Sequence, residues 1–127
     1  MYFESKETTI TSASGSATAT FSQCFGLLYE VIVIPGTATV QPDNNFDITI
    51  ASQAGHGTQT LYTNTALSNT ANTFAFPRAQ VIKLDSTAVT SASNENVEAP
   101  VVGDITITGA NLGATGKQVT IILIFMR

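Results

Sequence analysis

Charge is the scarcest property of this chain. Only 11% of its 127 residues are charged, against roughly 25% in an average soluble domain. The surface must therefore be covered mostly by Thr, Ser, Asn, Gln and Ala, which repel neighbouring molecules poorly and suit a protein that lives in an assembly. The basic residues are Lys6, Arg78, Lys83, Lys117 and Arg127, no two of them within four residues of each other. With a net charge of −4 and a pI of about 4.6, there is no basic stripe to release counterions from a phosphate backbone. Nucleic acid is not expected as a partner.

Cysteine and histidine occur once each, and tryptophan is absent. A lone Cys24 makes no internal disulfide. In the run Phe21-Ser22-Gln23-Cys24-Phe25 it has no cationic neighbour to lower its pKa, so it reads as a small apolar filler. His56 stands between Gly55 and Gly57 and reads as an exposed loop residue. No G-x-S-x-G nucleophile pattern accompanies it, and one His with one Cys builds no zinc site from those ligands alone. Asp43 and Asp47 flank Asn44-Asn45, but the calcium-loop pattern D-x-[DN]-x-[DN]-G fails because Phe46 and Ile48 lead into a strand and no Gly is in place. The segment reads as a turn bonding its own backbone. The chain is small for a sugar-cleaving cleft and has 8% aromatics. It is read as non-enzymatic, with no catalytic, cofactor-binding or metal-binding residues assigned and no cofactor expected.

Long apolar runs are missing too. None approaches the ~20 residues of a membrane span, and MYFESKETTITSASGS lacks a basic region followed by an apolar one. The expectation is a chain without signal peptide or membrane partner, made and folded in a cytoplasm.

What is present is β-strand. Thr8–Ala13 and Ser16–Phe21 suggest a first hairpin around Ser14-Gly15, with Ala17, Ala19 and Phe21 alternating against Thr18 and Thr20. Leu27 to Ile34 is apolar on both faces and reads as a central strand stopped by Pro35-Gly36. After the turn at Pro42–Asn45, Phe46, Ile48 and Ile50 alternate with polar residues. A short strand follows around Thr58–Thr63. Asn64–Thr73 reads as a polar surface loop, closed by Phe74, Phe76 and Pro77 pinning it to the core. Arg78–Asp85 gives another strand, Ser86–Pro100 a second polar excursion, and Asp104–Thr108 with Gln118–Met126 a last pair.

The turn before that final strand carries Gly113, Gly116 and Lys117, a superficial phosphate-loop pattern. Asn111 stands where the pattern G-x-x-x-x-G-K-[ST] needs Gly, and Gln118 where it needs a hydroxyl. The β-branched run after Lys117 is a strand rather than the helix whose N-terminus would face a phosphate. That strand has two apolar faces, Val119, Ile121, Leu123 and Phe125 on one and Ile122, Ile124 and Met126 on the other. Something is therefore expected to cover its outer side.

The sum is an all-β chain: one antiparallel β-sandwich domain over residues 1–127, of jelly-roll or Greek-key type, with about eight strands and a short N-terminal arm over about residues 1–7. The candidate partner-interface residues are Tyr2 and Phe3 in the arm, with Ile122, Ile124 and Met126 on the last strand.

The order of the pieces is familiar. Gly26-Leu27-Leu28 runs to Val33-Ile34-Pro35-Gly36, followed by Phe46-Asp47-Ile48-Thr49-Ile50 and Leu61-Tyr62. Gly103-Asp104-Ile105-Thr106-Ile107 then leads to Ala110-Asn111-Leu112-Gly113 and Gly116-Lys117-Gln118-Val119-Thr120-Ile121. Over Gly26 to Ile124 this resembles small virion proteins of tailed bacteriophages, found beside the major capsid protein and acting as head decoration or cement proteins. The resemblance implies a mechanical role on the capsid exterior of the virion, with the major capsid protein as partner and a homo-oligomer, dimer or trimer, as the working form. Its motifs mark turns and strands, so no binding residue comes with it. A tail, fibre or head-spike β-module binding a host cell-surface glycan is the alternative.

Overall fold

A computed structural model describes residues 2–54, 57–80 and 96–127. Eight strands are present among them: β1 (Phe3–Thr11), β2 (Ala17–Pro35), β3 (Phe46–Ala54), β4 (Gly57–Leu67), β5 (Thr73–Ala75), β6 (Arg78–Gln80), β7 (Asn96–Ala110) and β8 (Gln118–Met126). The remaining regular element is a 3-10 turn at Ala38–Val40. All pairings are antiparallel, in the order β1-β8-β2-β7-β3-β4, with β5 on β2 and β6 on β7.

The architecture turns on β2, which is long enough to serve two layers. Its first part, Ala17 to Leu28, pairs with β7; its last part, Leu27 to Pro35, pairs with β8 and, through Val31–Val33, with β5. If the two parts are counted separately, one layer runs β1-β8-β2-β5 and the other β2-β7-β3-β4. First strand lies beside last and second beside second-last, the nested pairing of a jelly roll. The fold class read from the sequence stands, with the two layers continuous through β2.

Two irregularities let β2 pass between layers. The register slips between Phe21 and Cys24 and again between Leu28 and Glu30. Bulges of this kind bend a strand and increase its twist. At the first, Gln23 adopts φ 53 and its N–H donates to the Asp104 carboxylate at 3.0 Å, so the unpaired amide keeps a partner. Between them Gly26 has φ 123, and a Cβ there would lie 2.6 Å from the Met126 carbonyl oxygen. Only glycine allows the backbones to approach so closely.

The inner faces meet in one core. Ile10, Val31, Val33, Val119, Ile121, Leu123 and Phe125 come from one layer, and Phe46, Ile48, Ile50, Leu67, Ile105 and Ile107 from the other. The contact is tight enough that a Cβ on Gly109 of β7 would meet Ile10 Cδ1 at 2.9 Å. Alternation is strict in β8, where every second residue from Val119 to Phe125 is fully buried.

Several pairings differ from the sequence expectation. Ala13 and Ser16 do close a two-residue turn, but the arms diverge into different layers instead of forming a hairpin. Asp104–Thr108 and Gln118–Met126 do not pair with each other: β7 lies between β2 and β3, and β8 between β1 and β2. Local patterning marks strands but not partners, which are set by where each apolar face finds its complement. The arm expected over about residues 1–7 is the start of β1, paired with β8 from Phe3↔Met126 to Thr11↔Gln118. The polar loop begins later than expected, because β4 continues to Leu67, a buried core residue. Of the strand expected over Arg78–Asp85, Arg78–Gln80 form β6, and residues 96–100, expected within the polar excursion Ser86–Pro100, instead begin β7; the rest of both, and His56, lie outside the described residues.

The glycine-rich turn before β8 clasps the end of β1. Ser12, 1% exposed, donates through Oγ to the Ala114 carbonyl and accepts from the Lys117 N–H at 2.9 Å. The Lys117 ammonium donates to the Thr39 carbonyl at 3.3 Å. These are structural bonds that hold the turn against its own chain.

Candidate interaction surface

Strand alternation sends Phe3, Ile122, Ile124 and Met126 to the outer face of the β1-β8-β2-β5 layer. The register then shows what they join. One row across four strands reads Phe3–Met126–Leu27–Pro100, the next brings Ser5 beside Ile124 and Glu30, and a third reads Glu7–Ile122–Ile32–Phe74. Beside the first row, Phe25 pairs with Val102. Ile122, Ile124, Met126 and Ile32 are half-buried by these neighbours, and no further layer of the described residues lies over them.

Among the described residues the exposed large apolar side chains are Tyr2, Phe3, Phe25, Leu27, Phe74, Phe76 and Val102. Apart from Tyr2, they belong to this face and its rim. Scattered exposed apolar residues are ordinary, but a contiguous patch marks an interaction site. Phe74 and Phe76 were expected to pin a loop to the core. Instead they are 59% and 51% exposed, while Pro77 beside them is buried. Tyr2 is exposed as well, but alternation places it on the opposite side from Phe3, and its backbone exchanges hydrogen bonds with Arg127 at 2.8 and 2.9 Å. Of the five candidate residues, four therefore come together and Tyr2 stands apart.

The second bulge builds an aromatic run on the patch. By placing Tyr29 as the extra residue between Leu28 and Glu30, it turns that ring outward, 5.3 Å from Phe3 and 5.8 Å from Phe76, both edge-on. The Arg78 guanidinium lies 5.6 Å from the Tyr29 ring centre and 5.9 Å from that of Phe76, and donates to the Tyr29 carbonyl at 3.2 Å. Such a cation over two rings fixes them in place. An ordered aromatic surface loses little side-chain entropy when a partner covers it. Glu7 and Glu30 supply the carboxylates on this face, and neither forms an ion pair among the described residues.

Sequence reasoning missed Phe25, Leu27, Tyr29, Ile32, Phe74, Phe76 and Val102 as parts of the surface. The signal was there in the double-sided Leu27–Ile34 run, but the register that unites it with β5 and β7 is not local.

Other chemistry is sparse. Among the described residues no three His, Cys, Asp or Glu side chains gather as metal ligands. Asp47 accepts a hydrogen bond from the Asn111 carboxamide at 2.7 Å. Cys24 is buried, and desolvation pushes its thiol above the ordinary range, partly opposed by Lys6 and Arg127. No protein-family model matches this chain, and no curated protein is significantly similar to it.

Proposed function

We propose that this chain is a non-enzymatic structural virion protein of the head decoration or cement type, which binds the outer capsid and bridges neighbouring major capsid protein subunits. The observation that carries the reading is the continuous apolar outer face around β2 and β8, on a chain with too little charge to keep neighbours apart. The resemblance of the turn-and-strand order to phage decoration proteins supplies the setting. Phe3, Ile122, Ile124 and Met126, with Leu27, Tyr29, Phe74 and Phe76, are the proposed contact surface. A rigid two-layer scaffold suits a protein whose work is to resist strain. Each copy would contribute a modest contact, summed over many sites on the shell. A dimer or trimer of this chain on the capsid exterior is the proposed working form.

The test is reconstitution. Purified protein is mixed with expanded capsids that lack it, and binding stoichiometry and capsid melting temperature are measured. Stoichiometric binding and a higher melting temperature are the expected results. Phe74→Ser and Ile124→Glu are expected to stay folded and lose the binding. Absence of binding, binding at the tail alone, or unchanged binding by both variants overturns the proposal.

A further inference from the structure

We infer that a cavity of about 300 Å³ at the far end of the same layer is a binding site for a neutral hexopyranose. Its walls come from two loops distant in sequence, Thr37–Gln41 after β2 and Asn69–Asn72 between β4 and β5, and its floor is Ile34 and Pro35. The volume is at the lower end of the range of small-molecule pockets, enough for one sugar ring.

The lining chemistry selects the ligand class. Thr37, Gln41, Asn69, Thr70 and Asn72 line the cavity, and among the described residues no charged side chain does. Hydroxyls and carboxamides both donate and accept, which matches sugar hydroxyls that do the same. The nearby Lys117 ammonium is engaged by the Thr39 carbonyl and is not part of the lining, so among the described residues an anion meets no lining cation. A nucleobase would need aromatic faces to stack on, and among the described residues the lining holds none. The apolar floor fits the C–H face of a pyranose, and Phe74, opposite Ile32, stands roughly 7–8 Å from Ile34 on the sheet diagonal.

The site is built in advance. The Gln41 carboxamide donates to the Asn69 carbonyl at 2.9 Å, and the Asn69 carboxamide donates to the Pro42 carbonyl at 3.1 Å, so each wall is tied to the other. Thr37 occupies the cap position of the 3-10 turn, yet its side chain makes no capping hydrogen bond. Asn72 is exposed, and its side chain has no partner among the described residues. Ala38 on the rim adopts φ 55, a conformation costly for a residue with a Cβ and concentrated at ligand clamps.

The inference does not rest on the capsid reading. Ile34 is seven residues along β2 from Leu27, about 23 Å at the strand rise, and although Phe74 of the proposed contact surface borders the cavity, sugar binding is read on the free chain, where neither is covered.

The experiment is a ¹⁵N-HSQC titration of the full chain with methyl glucopyranoside, methyl galactopyranoside and N-acetylglucosamine, with glucuronic acid as the anionic control. At least one neutral sugar is expected to give saturable shifts confined to amides of residues 34–41 and 69–74, with a dissociation constant on the order of 1 mM. Glucuronic acid is expected to bind more weakly. Thr37→Val and Asn72→Ala, which remove no side-chain hydrogen bond among the described residues, are each expected to weaken binding by about 5–10-fold. No saturable shift with any neutral sugar, shifts located elsewhere, or full affinity in both variants overturns the inference.

Discussion

Neighbouring residues on β8 give the sharpest test of the layer assignment. Leu123 is fully buried, opposite Val31 and Lys6. Ile124 faces outward, half-buried between Ser5 and Glu30. Truncating a buried leucine to alanine costs about 2–5 kcal/mol, the lost transfer energy plus the residual cavity; the fully enclosed site puts Leu123→Ala near ~3 kcal/mol. Ile124→Thr keeps the β-branch and removes a half-buried apolar surface, at about 1 kcal/mol or less. For a domain of this size each kcal/mol moves the midpoint by about 4 °C, so the expected losses are roughly 12 °C and under 4 °C. The chain has no tryptophan, so urea and thermal unfolding are followed by circular dichroism, at several protein concentrations. If copies associate through this face, stability rises with concentration, and Ile124→Thr abolishes the rise. Equal losses for the two variants at the lowest concentration would refute the reasoning, because they would mean the outer face is already covered in the isolated chain.

Gly113 has φ 97, and a Cβ there would lie 2.7 Å from the Asp43 carboxylate. Gly113→Ala is therefore expected to lower unfolding free energy by more than about 1 kcal/mol, and adding Asp43→Ala should recover part of the loss; a neutral Gly113→Ala in urea titration would contradict this. Burial holds the Cys24 thiol protonated in the fold above its ordinary pKa of 9.0. Its contribution to stability is thus complete below that value and falls as pH rises toward the folded-state pKa. Cys24→Ala is expected to flatten the decline in stability between pH 8 and 10, and the native thiol should react with a disulfide reagent far more slowly than the urea-unfolded one. Identical pH profiles for the two proteins would count against a buried, protonated thiol.

Residue pattern alone was enough to specify the class of fold and most of the core. Alternation in Phe46-Ile48-Ile50 and in Val119-Ile121-Leu123-Phe125 marks half-buried strands wherever they are placed, because side-chain period is a property of the extended backbone. It also exposed an unmet need, since Leu27–Ile34 and Ile122–Met126 carry more apolar surface than one core can cover. Which strands meet was a tertiary decision. Ser14-Gly15 reads as a hairpin turn, yet Ile10 and Ala19 serve different layers, because β1 pairs with β8 and β2 with β7. The same decision assembled the outer face. Phe3, Leu27, Tyr29 and Phe76 are separated by up to 73 residues in the chain and become neighbours only when bulges carry β2 from one layer to the other. Register across a sheet is set by long-range complementarity of whole faces, and no local pattern encodes it.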